Sequence, residues 1–99
     1  MGYKIEFNWI LKLNSDQGFP KKIEVNKNYL FEKQEERLYP RGMPIDLVNN
    51  DFVPHAKVII DDLVISNNKT RGNFKVIYKY GPVERNILQR IIKKTMKNE

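Results

Sequence analysis

Residues 55–80, HAKVIIDDLVISNNKTRGNFKVIYKY, constrain the fold most, because they hold the densest β-branched and aromatic run in the chain. Val58, Ile60, Leu63 and Ile65 are the buried candidates of one arm. On the other arm Phe74, Val76, Tyr78 and Tyr80 alternate with Asn73, Lys75 and Lys79, the period of a strand with one buried face. Asn67, Asn68 and Gly72 tolerate the left-handed backbone of a reversal. The stretch reads as a β-hairpin whose aromatics belong to the core. The adjacent Asp61 and Asp62 read as a bulge or bend rather than a ligand pair.

The flanking sequence adds strands. Residues 3–13 alternate almost without a break: Tyr3, Ile5, Phe7, Trp9, Leu11 and Leu13 share one face, and only Ile10 interrupts. Residues 14–18 then carry turn chemistry. Residues 20–25 predict a short strand with Ile23 and Val25 inward. Residues 29–39 predict a second hairpin with a charged tip at 34–36, although helix propensity over 29–38 offers an alternative. Two prolines around Gly42 make 40–44 a constrained loop, and 45–48 is a short strand candidate.

After Tyr80 the periodicity changes. Gly81-Pro82 breaks the strand, and Pro82 suits the first turn of a helix. Val83, Ile87, Leu88, Ile91, Ile92 and then Thr95 or Met96 recur at helical spacing. Glu84 near the start and Lys93, Lys94 and Lys97 near the end suit the helix dipole. The favoured use of this apolar stripe is to close one end of the β structure. The prediction is a single domain over 1–99, mostly β: a small barrel or strongly curved antiparallel sheet of about six strands over 1–80, with a helix over 81–99.

No catalytic constellation emerges. The chain has no cysteine and one histidine, His55, so thiol chemistry and cysteine-based zinc sites are excluded. Ser15 and Ser66 lie in turn-like segments, and neither stands in a Gly-x-Ser-x-Gly context. Lys69-Thr70 resembles the tail of a phosphate loop but lacks the glycines before it. An enzyme built on Asp46, Asp61 or Tyr39 is the least favoured reading, and no cofactor is expected. No apolar run is long enough for a membrane span, and a charged, alternating N-terminus does not read as a signal peptide, so cytoplasmic location is expected.

Charge gives the one positive hint. The net charge of +6 favours anionic partners. The candidate contacts are Arg37, Tyr39 and Arg41 around the 39–44 loop, and Arg85, Arg90, Lys93 and Lys94 on the helix. Phe7, Trp9, Phe74 and Tyr78 follow the inward pattern and are assigned to the core, which leaves Tyr39, beside two arginines, and Phe52 as the open aromatics.

Several fragments resemble a family. Met1-Gly2 with Glu6-Phe7-Asn8, Ile23-Glu24 with Asn28-Tyr29-Leu30-Phe31, Arg37-Leu38-Tyr39-Pro40 with Pro44-Ile45, and Ala56-Lys57-Val58-Ile59 are similar to short, uncharacterised proteins of Bacillus-like Firmicutes, grouped as a domain of unknown function. The likeness covers roughly the first eighty residues, and the helix departs from it. It implies a bacterial cytoplasmic protein with a small β fold and carries over no functional residues. The functional expectation is therefore a non-catalytic binding module favouring an anionic partner such as RNA or DNA. The alternative is a protein-interaction or self-association module using a sheet edge or the terminal helix.

Overall fold

A computed structural model describes residues 7–95. Five strands and one α-helix are present among them: β1 (Ile10–Lys12), β2 (Asn28–Gln34), β3 (Pro44–Val48), β4 (Pro54–Ser66), β5 (Lys69–Lys79) and α1 (Pro82–Thr95). The sheet runs β1-β3-β4-β5-β2, with β1 parallel to β3 and every other neighbour antiparallel. It curls into a half-barrel. Lys33, only 5% exposed on the β2 edge, donates its ammonium to the Lys12 carbonyl of β1 at 2.6 Å, linking the two outermost strands across the open side.

The inner face holds the main core. Leu11, Ile45, Leu47, Ala56, Val58, Ile60, Phe74 and Val76 line it, and Leu13, Ile23, Phe31 and Tyr39 fill the trough. Phe31 packs edge-on to Tyr39 at 6.0 Å and tilted against Phe74 at the same distance. A smaller cluster on the outer face joins Ile10, Val48 and Phe52 to Ile92 of α1.

The organising hairpin is β4–β5, with Asn67 and Asn68 at positive φ in its two-residue turn. Two bulges break its register. On β4, Ile60 faces Phe74 but Asp62 faces Asn73, so Asp61 is an extra residue. The Asp61–Asp62 step is the expected bulge, and it returns Leu63 and Ile65 to the inner row. On β5, Val58 faces Val76 but Lys57 faces Tyr78, so Ile77 is extra. Because side chains alternate faces, one added residue moves everything after it to the opposite side. Tyr78 was expected in the core and is instead half exposed on the outer face. Gly72 is likewise not in the turn but inside β5, where a Cβ would run into the Asp62 carbonyl and sit 3.1 Å from the Phe31 ring.

Other expectations are corrected. Within the described residues the 3–13 strand reduces to Ile10–Lys12, while its residues 3–6 lie outside them. Phe7 and Trp9 stack edge-on to each other at 6.2 Å and are half exposed, whereas Ile10, read as an interruption, is buried. The turn at 14–18 is a 3-10 helix, Ser15–Gln17, closed by a capping box from Asn14. Residues 20–25 form no strand. The Tyr29 hydroxyl holds them, donating to the Lys22 carbonyl at 3.0 Å and accepting from the Glu24 amide at 2.9 Å, so Ile23 is buried and Val25 exposed. Finally, β2 is a strand but not one arm of a 29–39 hairpin. It pairs with β5 from Asn28–Lys75 to Gln34–Lys69, because the phenylalanine of β2 fits the notch that Gly72 leaves.

Candidate functional site

The seven candidate residues separate into two groups. Arg37, Tyr39 and Arg41 lie between β2 and β3, beside the far half of the hairpin. Arg85, Arg90, Lys93 and Lys94 ride on α1, whose docking point is near the start of β4. Between His55 and Asp61 the strand alone spans about 20 Å at ~3.3 Å per residue. One continuous groove through all seven is not what the fold builds.

The first group serves the structure. Tyr39 is 2% exposed and packed on Phe31, so no base could stack on it from solvent; its assignment as a contact aromatic is corrected. The Arg37 amide donates to the Thr70 hydroxyl at 2.8 Å, and its guanidinium, mostly covered, lies 3.7 Å from the Glu35 carboxylate. Arg41 donates from Nε and Nη2 to the Asp61 carbonyl at 3.0 and 2.8 Å and approaches Asp62 at 3.8 Å. With the Gly42 amide on the Ile60 carbonyl at 3.2 Å, this clamps the 40–44 loop onto the β4 bulge. A bulge leaves a carbonyl without its ladder partner, and a forked guanidinium satisfies it.

The second group is outward except for Arg85, which is half-buried on the sheet side of the helix and is corrected as a contact residue. α1 starts at Pro82, where Glu84 reaches back to the Gly81 amide at 2.9 Å and also accepts from the Tyr78 hydroxyl at 3.1 Å. That contact raises the Tyr78 phenol above its ordinary pKa. Farther along, Gln89 donates to the Asp51 carbonyl at 3.0 Å and Ile92 is buried. Residues 85, 88, 89 and 92 therefore face the sheet. The apolar stripe is wider than this contact. Val83, Ile87 and Ile91, four residues apart, are 72%, 56% and 54% exposed. The expectation that the whole stripe closes the barrel is corrected: only its Leu88–Ile92 margin does so, and burying one Ile contributes about 1.5–3 kcal/mol. Arg90, Lys93 and Lys94 are exposed on the remaining circumference.

Charged groups of both signs surround the start of the helix. His55 is half-buried, its ring edge-on to Phe19 at 5.2 Å and its Nε2 3.2 Å from the Asn49 amide nitrogen. Burial lowers its pKa first, and the charges of Arg85 and Lys79 lower it further. Nearby, Tyr80 donates to Asp46 Oδ1 at 2.6 Å, an oxygen that also takes Lys57 at 2.9 Å. Burial and that bond hold the Tyr80 phenol far above its ordinary range. Sequence reading missed the exposure of Tyr78 and of Val83–Ile91. The helical spacing marked the apolar stripe, but spacing does not say which part of a stripe faces inward.

Among the described residues no group of three or more His, Cys, Asp or Glu is placed to hold a metal ion, and no helix is long and apolar enough to cross a membrane. No protein-family model and no curated protein matches the chain. Among solved structures, the crystal structure of protein ytmB from Bacillus subtilis, a structural-genomics target, matches with a TM-score of 0.61 and 22% identity. The match covers 81% of this chain and 95% of that one. At that identity the likeness is one of fold. The resemblance to short Bacillus-type proteins thus extends to a mostly β architecture shared with one protein of Bacillus subtilis.

Proposed function

We propose that the chain is a non-catalytic binding module whose contact surface is the outward face of α1 with the neighbouring Tyr78, and whose partner is anionic, single-stranded RNA or DNA being favoured. The observation that supports this is the exposure of Arg90, Lys93 and Lys94 on one helix, whose first turn holds the half-exposed Tyr78 through Glu84. Single strands bind through phosphate neutralisation combined with stacking on exposed rings. Three phosphate contacts predict a salt slope of about −2, or roughly a fifteen-fold affinity gain for a fourfold drop in salt.

Fluorescence anisotropy with mixed-sequence RNA and single-stranded DNA tests it. Binding that follows this slope, and that is lost in the triple charge reversal R90E/K93E/K94E, is the expected result. Absence of binding at low salt, or binding untouched by the reversal, removes the reading. The exposed line Val83, Ile87 and Ile91 favours a second reading, in which the same helix contacts protein.

A further inference from the structure

A groove of about 610 Å³ crosses the outer face of β2, β5 and β4 beside the 3-10 turn, at the far end of the hairpin from α1. Leu30 and Val64, 77% and 55% exposed, give it an apolar floor. They sit there because Leu30 shares a row with Asn73 and Asp62, while Val64 shares the next with Arg71 and Glu32. Three carboxylates line the groove, Asp16, Glu32 and Asp62, against one guanidinium, Arg71. Glu32 and Arg71 are 3.7 Å apart, and Asp62 accepts from Asn73 at 3.2 Å with Arg41 approaching from outside.

An acidic rim on a chain of net charge +6 decides what can enter. Phosphates of nucleic acid or lipid would meet carboxylates. An aliphatic segment flanked by cations would meet both an apolar floor and opposite charge. That is the chemistry of α1: Val83 and Ile87 in line, with Arg90 and Lys94 beside them. The helix cannot reach the groove of its own chain. It is seated on Ile10, Val48 and Phe52, and seven to nine residues of β4, about 23–30 Å at ~3.3 Å each, separate His55 from Asp62 and Val64.

We propose that α1 of one copy docks by its Val83–Ile87 line into the Leu30–Val64 groove of a second copy, with Arg90 and Lys94 set against Glu32 and Asp62. The contact is heterologous, because helix and groove are different surfaces at different ends. Two copies that dock reciprocally fill both sites of each; otherwise one groove and one helix stay unfilled and association runs on head to tail. The inference shares the helix with the anionic-partner reading but not the ligand, so either can fail while the other stands.

Sedimentation velocity of the full chain, without nucleic acid and from micromolar to millimolar concentration, tests it. The expected weight-average mass rises with concentration to at least two copies and falls back with added salt. Ile87→Asp removes the helix surface and Leu30→Asp the groove, and both positions are exposed enough to leave the fold intact. Each variant alone is expected to be monomeric, with its association constant lowered at least tenfold. Mixed together they form one discrete heterodimer that grows no further, since each retains the surface the other lacks. If Leu30→Asp shifts the unfolding midpoint, Glu32→Lys replaces it. A strictly monomeric wild type, association that survives either variant, or a mixture that forms no heterodimer overturns the proposal. Loss in Ile87→Asp alone would mean that helix pairs with helix.

Discussion

Thr70 is the residue on which the link between β2 and β3 depends. It is fully buried, and its hydroxyl takes the Arg37 amide at 2.8 Å while donating to the Glu35 carbonyl at 2.8 Å. One side chain thus satisfies a backbone donor and a backbone acceptor in a segment that has no ladder of its own. Thr70→Val keeps the shape and removes both bonds. Leaving the Arg37 amide unmade costs about 1–3 kcal/mol, and losing the second bond costs about 0.5–1.5 kcal/mol. The added methyl returns about 0.8 kcal/mol. The net loss is about 2 kcal/mol, which for a chain of this size lowers Tm by roughly 8–16 °C. Urea unfolding should show the midpoint shift at unchanged slope, because the surface exposed on unfolding is the same. Thr70→Ser is the control. It keeps both bonds and loses one buried methyl, so it is expected to fall between wild type and Thr70→Val. A valine variant as stable as the serine variant would refute the hydrogen-bond argument and leave packing as the role of the site.

Two further outcomes follow from the same geometry. Gly72→Ala is expected to destabilise by about 1–3 kcal/mol by overpacking, since the new methyl meets the Asp62 carbonyl and the Phe31 ring, and urea midpoints should drop unless β2 separates freely from β5. The His55 pKa is held below its ordinary 6.5 by burial and by Arg85 and Lys79, so the unfolded chain binds the proton more readily than the folded one. The stability that neutral His55 allows is present above that value and lost as pH falls below it. His55→Gln should flatten the midpoint-versus-pH curve in that window, and an unchanged curve would show that other groups set it.

The legible parts of the chain were those where one face is buried throughout. The inner rows Val58–Ile60 and Phe74–Val76, the short strand at 45–48, the reversal at Asn67-Asn68 and the helix after Pro82 all follow from local pattern and turn chemistry. The parts that misled were decided by partners distant in sequence. Residues 20–25 carry a strand pattern, yet the Tyr29 hydroxyl takes up their backbone groups. Residues 29–39 carry a hairpin pattern, yet β5 offers β2 seven paired positions and a glycine notch. Arg37 and Arg41 carry the charge of an anion site, and the protein spends their donors on its own backbone and carboxylates. Composition marks such residues but cannot say whether their partner is internal.

Of the two bulges, the one at Asp61 was legible from the adjacent aspartates and the inward Leu63 and Ile65, whereas the one at Ile77 left no sequence mark and misplaced Tyr78. Without Ile77 as an added residue, Tyr78 would continue the inward row of Phe74 and Val76. With it, Tyr78 pairs with Lys57, faces outward and meets Glu84 at the start of α1. Without Asp61 as an added residue, Val64 would continue the inward row of Val58 and Ile60. With it, Val64 shares the outer row with Glu32 and Arg71 and floors the groove. Each bulge turns what would have been a core side chain into an exposed one, at opposite ends of the same hairpin. The strands between them keep strict alternation and hold the inner core. The hairpin is therefore more than a scaffold: its regular middle supplies stability, and its two irregular steps each place an apolar side chain on the surface a partner would meet.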